Sequence, residues 1–369
     1  MKKQKTTKTN RSTLALVITS LAFITLTACG DSSSSSAPQT SENAIAVFTS
    51  DFNTGELRFI GEDGEYTDEK ISFIQDSKIF SVNGNLYVLE RYGADNISMV
   101  KNGKVEFQVS LEDGANPSDL VAIDSKEGWL SQEGSTELLK IDLATGKTKK
   151  NVSLKNFVVK GNVSPNAVNL EILGDTLFVL MQRLDQFAAT LPGLIAMFNA
   201  NDGKLLDTIS LKTPNPTSMT AYNGQLYVST LGSYNSNYGT DADNKRGIEK
   251  ISISKKSSEL LVTGKDLGAG IYNMAVNPDK NIAYVTVYSE YGNAPLKAID
   301  LESKKISAIK GINDAEGGMF FDSQKGLLYV GDRTAGSESL KIYDGKEVKT
   351  VTGNKVLPPY SIAPFSQVE

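Results

Sequence analysis

From Ala44 onward the chain alternates apolar and polar positions with a period of two, in short runs separated by clusters of Gly, Asn, Asp and Ser. No long stretch shows the 3.6-residue period of a helix, so the pattern predicts strands throughout. The most regular run is Asn223-Gly224-Gln225-Leu226-Tyr227-Val228, which returns as Asn83-Gly84-Asn85-Leu86-Tyr87-Val88 and, more loosely, at 174–179, 280–285 and 325–330. Asn and Gly tolerate the positive φ that tight hairpin turns need, and the aliphatic and aromatic residues that follow suit a strand. Hairpins recurring at a spacing of roughly 45 residues predict a repeat architecture.

The fullest unit runs from Asn215 to Val262, with strands expected at Thr217–Tyr222, Leu226–Val228, Ile248–Ile253 and Glu259–Val262. Four antiparallel strands per unit, repeated in series, predict β-propeller blades. Comparable units fall at 77–111, 117–154, 164–211, 270–309 and 314–351. Residues 44–74 supply only three strands, Ile45–Thr49, Glu56–Ile60 and one near Lys70–Ile74. The missing inner strand is expected at Pro358–Phe365, so the two termini would close a seventh blade and leave no open sheet edge. The fold class is therefore all-β: a seven-bladed propeller whose first blade is completed by the C-terminal strand.

The turns Ile141-Asp142-Leu143-Ala144-Thr145-Gly146-Lys147, Phe198-Asn199-Ala200-Asn201-Asp202-Gly203-Lys204 and Ile299-Asp300-Leu301-Glu302-Ser303-Lys304-Lys305 share one form. With the Leu-Tyr-Val strands, they resemble the repeats of YncE-like and surface-layer-type propellers. That resemblance implies a fold and not an activity, because the scaffold hosts many functions. Leu143-Ala144-Thr145-Gly146-Lys147 also echoes the eight-bladed outer-membrane assembly propellers. Those repeats are rich in tryptophan, and Trp129 is the only one here.

The N-terminus changes the picture of where the domain works. Lys2, Lys3, Lys5, Lys8 and Arg11 precede an apolar run from Leu14 to Leu26, the pattern of a secretory signal peptide over residues 1–28. Leu26-Thr27-Ala28-Cys29 resembles the lipobox of bacterial lipoproteins, which implies lipidation of Cys29, the only cysteine. Residues 29–43, with Ser32 to Ser36, read as a flexible tether, and 44–369 as the propeller. Multiple acyl chains anchor a protein on a membrane without spanning it. Gly30 after the cysteine favours the outer membrane by the lipoprotein sorting rule.

Loss of the signal peptide removes five positive charges and no acid, taking the net charge from -5 to about -10. A chain this acidic is poorly matched to nucleic acid. Histidine is absent, which excludes Ser-His-Asp and Cys-His catalysis and any haem or zinc site that needs imidazole.

Two constellations are candidates for function. The loops joining second to third strands are unequal, and 182–194 and 231–247 are longer than a turn requires. With their neighbours they carry Arg91, Tyr92, Gln182, Arg183, Tyr234, Tyr238, Tyr288, Tyr291 and Arg333, residue types enriched at binding hot spots. Phe52 and Phe187 are expected on the same face. Tyr87, Tyr227, Tyr284 and Tyr329, inside the strand pattern, are expected to pack between blades.

The second constellation is a ring at one register of the inner strands: Lys78, Asp119, Asn169, Ser218, Asn273, Gly318 and Ser361, with Glu316 close by. Asp119, Asn273 and Glu316 would suit a hard cation such as calcium, and the ring would equally suit ordinary polar lining of a watered channel. Asp241 and Asp243 hint at calcium in the same way but lack the rest of an EF-hand loop.

Three functions follow. The first is an envelope lipoprotein that binds a small molecule, chelate or corrinoid on this face and hands it to a TonB-dependent transporter, by analogy with surface lipoproteins of that kind. The second is a metal-dependent lactonase or hydrolase with Glu316 or Asp119 as base. The third is a protein-interaction scaffold in envelope assembly or adhesion.

Overall fold

The Asn-Gly turns adopt the conformation their chemistry predicts. In the computed structural model, which describes residues 44–365, Asn83 and Gly84 lie at φ 52° and 77°, and Asn223 and Gly224 at 49° and 67°. Both central residues at positive φ match the twist of the strands they join. Each such hairpin links the first two strands of a four-stranded antiparallel sheet, and the described residues form seven of these sheets.

The inner strands are Pro359–Phe365, Ser77–Val82, Pro117–Ala122, Ala167–Leu173, Pro216–Tyr222, Gly270–Asn277 and Met319–Asp322, for blades 1 to 7 in turn. Blade 1 is closed as expected. Pro359–Phe365 pairs with Ala44–Ser50, Val47 opposite Ile362, and Ala44–Ser50 pairs on its other side with Gly55–Ile60. One boundary differs from expectation. The outer strand of blade 1 begins at Tyr66, well before Lys70, because Tyr66 pairs with Ile60 and packs into the apolar cluster of Ile45, Val351 and Ile362. The signal peptide, the tether and Cys29 lie outside the described residues.

Apolar clusters fill the gaps between successive blades, and Tyr87, Tyr227, Tyr284 and Tyr329 are buried in them. Hydrogen bonds add direction to this packing. Tyr87 Oη donates to the carbonyl of Leu143 at 2.8 Å, and Trp129 Nε1 donates to that of Ala200 at 2.7 Å. Each reaches from one blade to the third-to-fourth-strand turn of the next. The glycines of those turns are part of the joint. Gly203 lies at φ 69°, and a Cβ there would come within 2.9 Å of the Trp129 ring.

Candidate functional site

Antiparallel alternation sends the Asn-Gly hairpins to one face. The second-to-third-strand loops and the connections between blades emerge on the other. The two sets of top-face loops are stitched together. Glu133 N donates to Asn116 O, Leu231 N to Asn215 O and Ala315 N to Ala294 O, at 2.9, 2.9 and 2.8 Å.

Arg91, Gln182 and Arg333 occupy the same place, one residue past the second strand of blades 2, 4 and 7, and each ties its blade to the next. Arg91 donates to Asn116 Oδ1 at 3.2 Å and to Glu133 Oε2 at 2.9 Å. Gln182 donates to Asn215 Oδ1 at 2.9 Å and to Pro216 O at 3.1 Å. Arg333 donates to Pro359 O at 2.7 Å and to Ser50 O at 3.2 Å, with its guanidinium 4.6 Å from the Phe52 ring centroid. Charge-assisted bonds of this kind hold orientation well. Arg183, next in the chain, is held at φ 56°.

Tyr288 is buried and supports a loop. Its hydroxyl donates to Tyr238 O at 3.2 Å, and its carbonyl accepts from Thr240 Oγ1. The loop 231–246 is further organised by Arg246, whose guanidinium bonds both oxygens of Asp243, at 2.9 and 3.1 Å, and the carbonyl of Leu231 at 3.0 Å. Asp243 is therefore an ion-pair partner, and Asp241 accepts from Asn235 Nδ2 at 3.0 Å.

The remaining loop aromatics are about half exposed or more. Tyr92, Tyr238 and Tyr291 are 81, 80 and 81% exposed, Phe187 is 92% exposed, and Phe52 and Tyr234 are about half exposed. Among the described residues, all the strongly exposed aromatic side chains lie on second-to-third-strand loops of this face. They belong to blades 1, 2, 4, 5 and 6, so they form a broken crown around the channel mouth.

Five residues of the expected ring share one register. Lys78, Asp119, Asn169, Ser218 and Ser361 pair with Leu89, Ser131, Leu180, Ser229 and Phe48, equivalent positions on the second strands. Several members bridge blades. Ser361 Oγ accepts from Ile79 N at 3.2 Å, and Asn169 Oδ1 from Met219 N at 2.6 Å. Asp119 accepts from Leu170 N at 2.7 Å, from Leu120 N at 2.8 Å and from the Asn169 amide.

Burial pushes the Asp119 carboxyl up to about 6, against those hydrogen bonds and Lys78. Burial lowers the Lys78 amine to about 8, helped by Arg91 and opposed by Glu133, Asp76 and Asp119. Asn273 lies within the bulge between Ile271 and Met274, and Glu316 lies on a short turn at Ala315–Gly317 at the mouth. Among the described residues no group of three or more acidic or cysteine side chains is placed to hold a metal.

No protein-family model matches the chain, and no curated protein matches it. Apo AztD from Citrobacter koseri has a similar structure, with a TM-score of 0.54 at 12% identity over 88% of this chain and 99% of that one. Hydrazine synthase of Kuenenia stuttgartiensis gives 0.54 at 15% identity over 72% and 75%. The dihydro-heme d1 dehydrogenase NirN, in complex with DHE, gives 0.53 at 14% over 89% and 76%. These likenesses place the chain among the seven-bladed β-propellers. At such identities the likeness is one of fold.

The structure also adds residues to the mouth. Tyr360 donates to Asp76 Oδ1 at 2.9 Å, and burial, then Asp76, raises its phenol. Tyr272 is pushed up to about 12 by burial first, then by Glu316, Tyr234 and Asp76, with Arg91 opposing, so its ring stands among groups from several blades. The bulge slot of blades 3, 4 and 5 holds Ser118, Val168 and Thr217. A tyrosine in that slot of blade 6 is the sequence signal that would have marked Tyr272.

Proposed function

We propose that the crown of exposed aromatics around the polar channel mouth is a ligand-binding surface, and that the protein is a non-catalytic binding protein of the cell envelope. The carrying observation is the confinement of the exposed rings to one face. Large apolar side chains left in water and clustered on loops are the usual mark of a binding site. A ligand with an apolar body and a polar group, such as a small molecule, chelate or corrinoid, matches an aromatic rim around a mouth of buried charges.

The Leu-Tyr-Val strands and the third-to-fourth-strand turns at 141–147, 198–204 and 299–305 support a YncE-like or surface-layer-type origin. The lipobox at 26–29 supports an anchor through Cys29, most simply in the outer membrane, where a TonB-dependent transporter could receive the ligand. A second reading is favoured by the tips themselves. Phe187 and Tyr291 stand almost wholly in water, and exposed aromatic tips also suit a protein partner.

The test is a triple variant, Tyr92→Ala, Tyr238→Ala and Tyr291→Ala. These side chains are exposed, so each substitution should leave stability within about 0.5 kcal/mol. A thermal-shift screen of small organic compounds and metal chelates, with pull-down from envelope extracts, should give hits on the wild type that the variant loses. Hits retained in full by the variant would place binding elsewhere. Cys29→Ala should move the protein from the membrane to the soluble fraction.

A further inference from the structure

Two carboxylates at the mouth each have an oxygen without a partner. Glu316 Oε1 and Asp314 Oδ1 are shielded from solvent and accept no hydrogen bond, and Asp314 is only 3% exposed. An unsatisfied buried acceptor carries a full desolvation penalty, so a native fold keeps one for a reason. Asp314 receives one backbone hydrogen bond, from Glu316, and is otherwise raised by burial and by Asp332. Burial, then Asp314, raises the Glu316 carboxyl to about 7, with Arg333 opposing. Arg333 does not satisfy it, because that guanidinium is committed to the carbonyls of Ser50 and Pro359 and to the Phe52 ring.

The backbone fixes Glu316 in this position. Ala315 N donates to Ala294 O at 2.8 Å, and Ala315 O accepts from Thr286 Oγ1 at 3.0 Å. A Cβ on Gly317 would lie 2.7 Å from the carbonyl oxygens of both Gly331 and Pro359, so only glycine lets the turn press between blades 7 and 1. The side chain is held by a segment with no freedom to carry it elsewhere.

Three tyrosines form one group that feels its charge. Tyr288 lies 6.3 Å from Tyr234 and 6.0 Å from Tyr272 between ring centroids. After burial, Glu316 is the first group that raises each of the three phenols. Orphaned carboxylate oxygens beside a group of aromatic rings narrow the ligand chemistry. An anion would be repelled. A hard metal ion is usually held by several carboxylates, and the described residues gather no group of three or more acidic or cysteine side chains placed to hold one. A protonated amine supplies both the missing donor and the missing charge, a quaternary one supplies the charge alone, and in either case the carbon substituents pack against the rings that attract the cation.

We propose that Glu316, backed by Asp314, recognises together with Tyr234, Tyr272 and Tyr288 an organic ammonium ion: a protonated or quaternary amine on an apolar body. The inference rests on the top face being the binding face. Its test uses the full-length protein at mildly alkaline pH, titrated calorimetrically with choline and with the uncharged isostere 3,3-dimethylbutan-1-ol. Choline should bind at least about tenfold more tightly than the isostere.

Glu316→Gln, which keeps the shape, should abolish that preference, and Tyr234→Leu should weaken choline several-fold. Thermal unfolding checks that each variant is folded. Tyr234 is on a loop and half exposed, so its variant keeps the test valid if Glu316→Gln does not fold. Equal binding of choline and the isostere, or a preference retained in Glu316→Gln, overturns the proposal. So does stabilisation by calcium that Glu316→Gln removes, which would assign the site to an inorganic cation. Uncharged compounds binding the crown without choline would overturn the ammonium site and leave the top-face reading standing, whereas the absence of any ligand on that face would remove both.

Discussion

The carboxylate of Asp119 can be read as a clamp between blades or as a ligand for a cation, and Asp119→Ala separates the two. The side chain is buried and accepts from Leu170 N, Leu120 N and the Asn169 amide, so most of its lone-pair capacity is filled by the protein. Its removal strands donors of two adjacent blades. At about 1–2 kcal/mol for each stranded donor, the cost is roughly 3–5 kcal/mol at acidic pH.

Linkage makes that cost depend on pH. Burial raises the folded carboxyl from 3.8 to about 6, so between those values the folded state holds a proton that the unfolded state has released. The wild type therefore loses stability as pH rises through this window, and the variant does not. From about pH 4.5 to about pH 7.5 the penalty of Asp119→Ala should shrink by about 2 kcal/mol. For a domain of roughly 320 residues this is about 3 °C in the difference of melting temperatures. Urea and thermal unfolding of both proteins at the two pH values, with and without millimolar calcium, would measure it. A penalty that does not change with pH, or a calcium stabilisation present in the wild type and absent in the variant, would refute the clamp.

Other consequences of the structure are open to simpler tests. Tyr87→Phe deletes one oxygen and leaves the Leu143 carbonyl without its 2.8 Å donor, so it should cost about 1–2 kcal/mol by urea unfolding, whereas the exposed Tyr92→Phe should be neutral. Glu171 is raised by burial from 4.5 to about 7, against backbone hydrogen bonds from Ala221 N, at 3.1 Å, and Ile172 N that an amide oxygen can also accept. Glu171→Gln should therefore match the wild type below about pH 4.5 and exceed it by up to about 3 kcal/mol above pH 7, a gain that equal urea midpoints at both pH values would disprove. Deleting residues 359–369 removes the inner strand of blade 1 and the carbonyl that anchors Arg333. The cooperative unfolding transition should disappear, and its survival would refute closure by the C-terminus.

The parts of the fold that could be read from sequence are those fixed by local chemistry. Asn223-Gly224 needs nothing beyond its own φ preferences to turn, and the residue after each Leu-Tyr-Val strand counts back to Asn169 or Ser218 because a two-stranded ladder has only one register once its turn is set. Even the C-terminal strand could be found this way, since Pro359-Tyr360-Ser361-Ile362 repeats the opening of the other inner strands. What could not be read depends on groups that meet across blades. The pair of Tyr360 and Asp76 spans 284 residues. Tyr272 lies in a bulge between Ile271 and Met274 that takes it out of the ladder, and alternation alone does not mark a bulge, so only comparison with the same slot of the other blades singles it out.

The candidate loop residues divide on the same principle, and the division has a functional consequence. Arg91, Gln182 and Arg333 directly follow their strands, where the chain is still in register with its neighbour and a long polar side chain meets the next blade's opening carbonyls and amides. Tyr288 is the last residue of its strand and is buried for the same reason. Residues further out, Tyr92, Tyr234, Tyr238 and Tyr291, have left the ladder, and their side chains remain largely or half in water. Being in the loop therefore does not separate binding from scaffold, whereas distance from the last ladder hydrogen bond does. Substitutions at the tips should alter recognition with the blades intact, while substitutions at Arg91 or Arg333 should loosen the ring and so disturb the mouth indirectly. A loss of binding in Arg91→Ala would thus say little about contact with a ligand, and the same loss in Tyr238→Ala, with unfolding unchanged, would locate it.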